Sequence, residues 1–386
     1  LKILHTSDWH LGKRLMERSL VGEQEVALKG LRNLLVENPH DLLVIAGDVF
    51  DQGVPPEEAV DLLGRFLFDL RSAVPNIPVV IISGNHDSAS RLASNAGLVR
   101  AANVHLRGTA EALEEPVRVS GASGETAEVW CVPFLWPGSI SHEGVVAEDQ
   151  KSALAFALER IRRQQDTAHA QVLVSHCFAL GGVESESERK MMGQASQVSP
   201  AAFDGFDYVA LGHLHKAQKV GANGRYSGSL LEYSFDEVEH ARKHPKCVLS
   251  VEVSAGKAHE ARPVVLPRKR NFACLEGTLE QLLESPEFKP HEDDYLLVRL
   301  SEARLEGQPM ATLRRRFPNL LQLVNPITPR LLGVKGVEAA SPEKTAGSDL
   351  AADFTAFMRD LHEDAPTPEV QDAFKALWAE LQKEEA

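Results

Sequence analysis

The sequence predicts a layered α/β fold (a two-sheet sandwich flanked by helices), then a small α+β capping domain and a C-terminal helical tail. Three observations carry this prediction. Through residues 1–265, apolar strand-like runs alternate with helix-like segments. Several of these runs end directly in a short polar motif. Beyond residue 265 the pattern becomes a compact mixture of short strands and helices, and then amphipathic helix alone. At 386 residues the chain is too long for one small core, so more than one domain is expected.

The apolar runs are Leu1–Thr6, Asp41–Ala46, Val79–Ser83, Gln171–Val174 and Tyr208–Leu211. They are rich in Val, Ile and Leu, as strands buried on both faces are. Helical periodicity marks Gln24–Glu37, Pro56–Arg71 and Lys151–Gln164. Pro55-Pro56 ahead of Glu57-Glu58 makes a good helix start. Short alternating runs at Val117–Val119, Glu128–Val132, Arg225–Leu230 and Cys247–Val253 read as antiparallel strands.

Pro263 through Arg270 reads as a linker. After it, strands are expected at Asn271–Gly277, Tyr295–Leu300 and Leu320–Val324, with helices at Leu279–Glu284 and Pro309–Phe317. The expected domains are therefore 1–265 and 268–330, followed by a linker at 331–348 and a tail at 349–386. In the tail, Leu350, Phe354, Phe357 and Leu361, then Val370, Phe374, Leu377, Trp378 and Leu381, define two amphipathic faces.

Net charge is −14, which argues against a protein that coats nucleic acid over its whole surface. Residues 341–386 carry −7 of it, so the rest is only mildly acidic. Basic clusters stand at Lys13-Arg14, Arg268-Lys269-Arg270 and Arg314-Arg315-Arg316. Cys131, Cys177, Cys247 and Cys274 lack C-x-x-C spacing and read as reduced thiols of a cytoplasmic protein. No apolar stretch is long enough for a membrane span. The first candidate ligand is residue 8, so no cleaved leader is expected.

The polar motifs are Asp8-Trp9-His10, Gly47-Asp48, Gly84-Asn85-His86-Asp87, Ser175-His176 and Gly212-His213-Leu214-His215. Asp-x-His alone is expected about 0.7 times by chance in this composition, whereas Gly-Asn-His-Asp is expected about 0.001 times. Their joint occurrence, each behind an apolar run, is the signal. Strands ending side by side deliver these groups to one rim. Carboxylates and imidazoles together suit a pair of divalent ions roughly 3.5–4 Å apart. Such donors favour Mn, Fe or Zn over Ca or Mg. Asp48, alone after a strand, is the natural bridging carboxylate. His213 and His215, two apart, are expected to face the same side of a strand.

The order of these motifs resembles the calcineurin-like metallophosphoesterase superfamily. The fuller strings Ser7–Gly12, Gly47–Asp51, Gly84–Ser88 and Tyr226–Glu237 are similar to those of the SbcD-type nuclease family, bacterial relatives of the meiotic-recombination-eleven nuclease. That resemblance implies one Mn²⁺ held by Asp8, His10, Asp48 and His215. It implies a second held by Asp48, Asn85, His176 and His213, with Mg²⁺ or another divalent ion as a substitute. His86 matches the family's catalytic histidine, and Asp87 is expected to orient it. Asp51 stands where archaeal relatives often carry His, and Leu230 replaces a Pro common in relatives.

The implied activities are double-strand exonuclease, single-strand endonuclease and hairpin opening on DNA, in repair and recombination. The 268–330 domain would cap the DNA, with Arg268, Lys269, Arg270 and Arg314–Arg316 as phosphate contacts. The implied partner is an SbcC-type coiled-coil ATPase docking on the tail. ATP would then act only through that partner, and no G-x-x-x-x-G-K-[ST] occurs here. A homodimer, giving a heterotetramer, is expected through Pro56–Arg71, whose Leu62, Leu63, Phe66, Leu67 and Leu70 exceed one face. Two other readings are a small-molecule phosphoesterase and a catalytically inactive scaffold.

Overall fold

The computed structural model describes residues 1–325 apart from 123, 143, 186, 189–196, 259 and 303–306. The expected linker 331–348 and tail 349–386 lie outside the described residues. The described residues divide into two compact units, Leu1–Cys274 with Asp293–Tyr295, and Leu275–Glu292 with those from Leu296 onward.

Two sheets build the first unit. One runs Lys257–Ala258, Cys247–Ser254, Lys2–Thr6, Leu42–Ala46, Val79–Ile82, Val104–Arg107, and Arg262–Val265 also pairs with Cys247–Ser254. The other runs Gln218–Val220, Gly224–Tyr226, Tyr208–Gly212, Ala170–His176, Thr126–Val132, Val117–Ser120. Side chains alternate across each strand, and in central strands such as Leu42–Ala46 and Val79–Ile82 both sets are apolar. Leu42, Val44 and Ala46 therefore enter the core between the sheets with Val80, Ile82, Val172, Val174 and Ala210. Leu43 and Ile45 take the opposite face and are equally buried.

That outer layer is helical. Val21–Glu37 and Glu57–Ala73 pack on each other and bury Leu28, Leu31 and Leu35, and Leu62, Phe66 and Leu70. Gln150–Arg162 buries Leu154, Leu158 and Ile161 in a cluster with Trp130, Leu173 and Val209 of the second sheet. Each such side chain contributes about 1.5–3 kcal/mol of transfer free energy, so the sandwich is held chiefly by strand alternation.

The centre of each sheet is parallel. Lys2–Thr6, Leu42–Ala46, Val79–Ile82 and Val104–Arg107 run one way in the first. Thr126–Val132, Ala170–His176, Tyr208–Gly212 and Gly224–Tyr226 do so in the second. Every polar motif leaves from the carboxyl end of one of these strands, where open parallel sheets bind ligands. The sheets approach closely there. A Cβ on Gly212 would lie 1.8 Å from the Ala46 carbonyl oxygen.

Several expectations change. Thr126–Val132 is antiparallel to Val117–Ser120 but parallel to Ala170–His176. Gly224–Tyr226 is antiparallel to Gln218–Val220 but parallel to Tyr208–Gly212, and it stops well short of Leu230. Alternation reports which face is buried and carries no information on a partner's direction. The expected linker begins inside a strand, since Arg262–Val265 pairs antiparallel with Cys247–Ser254. This strand is largely exposed and so lacks an apolar signature.

The second unit contains Leu279–Glu284 and Pro309–Leu313 and contributes to a three-stranded sheet ordered Phe272–Gly277, Tyr295–Leu300, Leu320–Val324. Thr278 and Gln281 form a reciprocal capping box at the first helix. Leu282, Leu296, Val298, Leu313 and Phe317 are buried.

Replacing Gly212 with Ala is expected to destabilise the chain by about 3 kcal/mol, because backbone rather than a side-chain end must yield. Urea denaturation of both proteins measures this. An unchanged midpoint would contradict the close approach.

Candidate metal centre

Among the described residues, four of the six non-glycine residues with positive φ stand at the rim: Asp8 at 52°, His10 at 44°, Asp48 at 48° and His213 at 114°. Such backbone costs of order 1–3 kcal/mol per residue and persists where surrounding structure dictates it. Hydrogen bonds do so here. Asp8 N donates to Gly47 O at 3.0 Å, and His10 N to Asp48 O at 2.9 Å. His213 N donates to Asp8 Oδ1 at 3.0 Å, tying the sheets together. Gly47 has φ +91°, and a Cβ there would meet His176 Nδ1 at 2.3 Å, so the rim needs glycine at this position.

The side chains converge. His10 Nε2 and His215 Nε2 lie 3.0 Å apart. Asp48 Oδ2 is 3.6 Å from His10 Nε2 and 3.5 Å from His176 Nε2, and so stands between two groups of donors. Asn85 Oδ1 lies 3.0 Å from both His176 Nε2 and His213 Nδ1. Asp8, His10 and His215 form one potential cation-binding group, and Asp8, Asp48 and His176 another. All seven expected ligands are thus brought together and buried.

The donor chemistry fits divalent cations. His176 Nδ1 donates to Ala46 O at 2.8 Å, so a neutral ring turns the lone pair of Nε2 toward Asn85 Oδ1. Facing lone pairs in a dry site require a proton or a cation between them. Titration reflects the same demand. Burial alone would lower the His176 pKa, but the Asp48 and Asp8 carboxylates raise it to about 9. Burial likewise pushes Asp48 up, yet His176, His10 and His86 hold it well below the carboxylate range. Asp8 is raised to about 6 by burial, and His213 is lowered to about 3 by burial and the neighbouring His176.

A further set of groups supports these ligands. Asp51 Oδ1 lies 3.4 Å from His10 Nδ1 and accepts from Lys13 Nζ at 2.8 Å. Burial opposes its ionisation, but His10 and Lys13 bring its pKa down to about 2. Glu237 Oε1 lies 3.3 Å from His215 Nδ1. Glu188 Oε1 accepts from His215 N at 2.5 Å, and burial raises that carboxyl to about 8. Phe134 packs its ring near those of His176 and His213. Glu188, Glu237, Lys246 and Phe134 carry no spacing signal. Only Glu237 falls inside a motif-like string, Tyr226–Glu237.

Two site expectations need correction. The Asp87 carboxylate accepts three backbone N–H groups: Gly84 at 2.9 Å, Phe50 at 2.9 Å and Val49 at 3.1 Å. It therefore clamps two rim loops, and burial, then Asp48, raises it to about 7. His86 is instead oriented by Asp51, whose carbonyl oxygen accepts from Nδ1 at 2.9 Å. Strand alternation does not align His213 with His215 either. The strand ends at Gly212, and the two rings reach different donor groups, at Asn85 and at His10.

The expected phosphate-contact arginines also have internal partners. Arg268 binds Glu232 with both contacts under 3 Å, at 2.8 and 2.9 Å. Arg270 pairs with Glu23 at 3.1 Å and Asp293 at 3.3 Å. Within the second unit, Arg314 donates to Leu320 O, and Arg316 to Glu292, Leu282 O and Ser285 O.

A two-sheet sandwich with this rim is the arrangement of a metal-dependent phosphoesterase. Residues 1–217 match the family model for calcineurin-like phosphoesterase, and the chain belongs to that family. More particularly, it is a homologue of the SbcD component of nuclease SbcCD. It is 31% identical over 330 residues to that protein from Staphylococcus saprophyticus, covering 84% of this chain and 85% of the relative. TT1561 of Thermus thermophilus is 16% identical with a TM-score of 0.36, covering 59% of this chain and 89% of that one.

Asp87→Asn keeps the side-chain shape but turns an amide donor toward backbone donors. It is expected to cost about 1–3 kcal/mol of stability, measured by urea unfolding. An unaltered midpoint would remove the clamp.

Proposed function

We propose that this chain is a two-cation DNA nuclease subunit acting as double-strand exonuclease, single-strand endonuclease and hairpin opener in repair and recombination. The observation that carries the reading is the buried convergence of Asp8, His10, Asp48, Asn85, His176, His213 and His215. In it, Asp8, His10, Asp48 and His215 would hold one ion, and Asp48, Asn85, His176 and His213 would hold the other. Mn²⁺ suits this mixed set of imidazole and oxygen donors. When bound, the ions supply Lewis-acid charge to the phosphate and lower the pKa of water.

The chain's own groups do the rest. Asp51 O accepts from His86 Nδ1 at 2.9 Å and orients the ring, which in its imidazolium form would give a proton to the departing oxygen. The His86 backbone N–H donates to Asp48 Oδ1 at 2.8 Å and so fixes the acid relative to the shared carboxylate. Burial of the rim excludes bulk water and strengthens each of these interactions.

The partner reading rests on the relative, whose name pairs it with a second subunit. An SbcC-type ATPase docking on residues 349–386 brings ATP to the complex, with this chain supplying the cutting site. A cytoplasmic setting accords with the free cysteines, and no helix among the described residues is long and apolar enough to cross a membrane. Self-association is supported by helix Glu57–Ala73. It buries Leu62, Phe66 and Leu70 but leaves Phe68 73% and Val60 50% exposed. A second copy of the chain would cover these apolar side chains.

Asp48→Ala is expected to abolish both ion loading and Mn²⁺-dependent cutting of a hairpin oligonucleotide. His86→Ala should keep both ions and lose about 10²–10⁴-fold in turnover. Cutting of a chromogenic phosphodiester but not of DNA would favour a small-molecule phosphoesterase instead. Phe68→Asp should convert the dimer to monomer in light scattering after gel filtration. A dimer surviving that change would place the interface elsewhere.

A further inference from the structure

The two donor groups at the rim differ in what stands behind their imidazoles. His10 Nδ1 faces Asp51 Oδ1 at 3.4 Å, and Asp51 is held by Lys13 Nζ at 2.8 Å. His215 Nδ1 faces Glu237 Oε1 at 3.3 Å, and Glu237 is held by Lys246 Nζ at 2.5 Å. A lysine-held carboxylate thus stands behind each imidazole, hydrogen-bonded to His215 Nδ1 but only in charge contact with the buried His10 Nδ1, and the inner Nε2 atoms lie 3.0 Å apart. The other half is built differently. His176 Nδ1 donates to the uncharged Ala46 carbonyl at 2.8 Å, and His213 turns its own Nδ1 inward to Asn85 Oδ1.

The Glu237 contact is tightly specified. Ser187 Oγ lies 2.6 Å from His215 Nδ1 and 2.5 Å from Glu237 Oε1, giving the imidazole N–H a second route to the same carboxylate. Lys246 Nζ also donates to the His215 carbonyl at 2.7 Å and to Ser229 Oγ at 2.8 Å. Glu237 is only 1% exposed and Lys246 7%. A buried ion pair adds little net stability over apolar side chains of the same volume. Here its geometry fixes both the backbone and the ring of one expected ligand.

A carboxylate behind an imidazole fixes its tautomer and raises the basicity of the ligating nitrogen. We infer that Glu237, fixed by Lys246, is a positioning residue for His215. With Asp51 it makes the Asp8, His10, Asp48 and His215 half the tighter cation site, filled before the Asn85, His176 and His213 half. The inference rests on the two-cation reading above.

The test is calorimetric titration of Mn²⁺ into the metal-depleted full chain, with electron paramagnetic resonance counting free ion. Two classes of unequal affinity are expected. Glu237→Gln keeps the size of the side chain and should weaken the tighter class about 10–100-fold while leaving the weaker class in place. Asp51→Asn, behind His10, should weaken the same class. His176→Ala should weaken the other. Urea midpoints verify that each variant is folded, and Asp51→Asn decides if Glu237→Gln is not. Two ions of equal affinity, or a Glu237→Gln or Asp51→Asn protein that weakens both classes alike or neither, would overturn the inference alone. A wild-type chain that takes up fewer than two ions would overturn the two-cation reading as well.

Discussion

Asp48 is the group on which the rest of the site depends. Its carboxylate is 2% exposed at the junction of two sheets, where an ion without compensating charge is costly. His10 and His176 approach one oxygen from either side, and the His86 amide donates to the other. Neither sheet supplies all of these partners. His10, His86 and Asp48 come from loops of the first, and His176 ends a strand of the second. Charge compensation of one residue therefore requires the whole sandwich to be assembled.

The surrounding architecture serves this requirement. Parallel central strands bring their carboxyl ends to one rim, and left-handed backbone at Asp8, His10, Asp48 and His213 bends the loops inward. Asp87 then fastens two of those loops by accepting their amide hydrogens. Outside them, lysine-held carboxylates at Asp51 and Glu237 stand behind His10 and His215.

Much of this was legible because it is local. Buried parallel strands advertise themselves as unbroken apolar runs, and the motif behind each run is contiguous. Tyr295–Leu300 and Leu320–Val324 have the expected bounds, each being rich in Leu and Val. Asn85 and His86 were marked by one rare string, whereas His176 gained meaning only from its place after a strand. The errors share a different origin. The partners of Asp87 are amides at Val49 and Phe50, far along the chain, and an amide leaves no trace in composition. Strand direction at Gly224–Tyr226, the edge strand at Arg262–Val265 and the carboxylates facing Arg268 and Arg316 are likewise set by tertiary pairing. Lys246 and Glu237 meet only once the chain has folded around His215.

The most direct test of the central claim asks whether one aspartate joins two cations. Low-temperature electron paramagnetic resonance of the Mn²⁺-loaded chain, with metal content measured in parallel, reads this. The account predicts two ions per chain and the spectrum of an exchange-coupled pair. A single ion, or two with independent spectra, would contradict it.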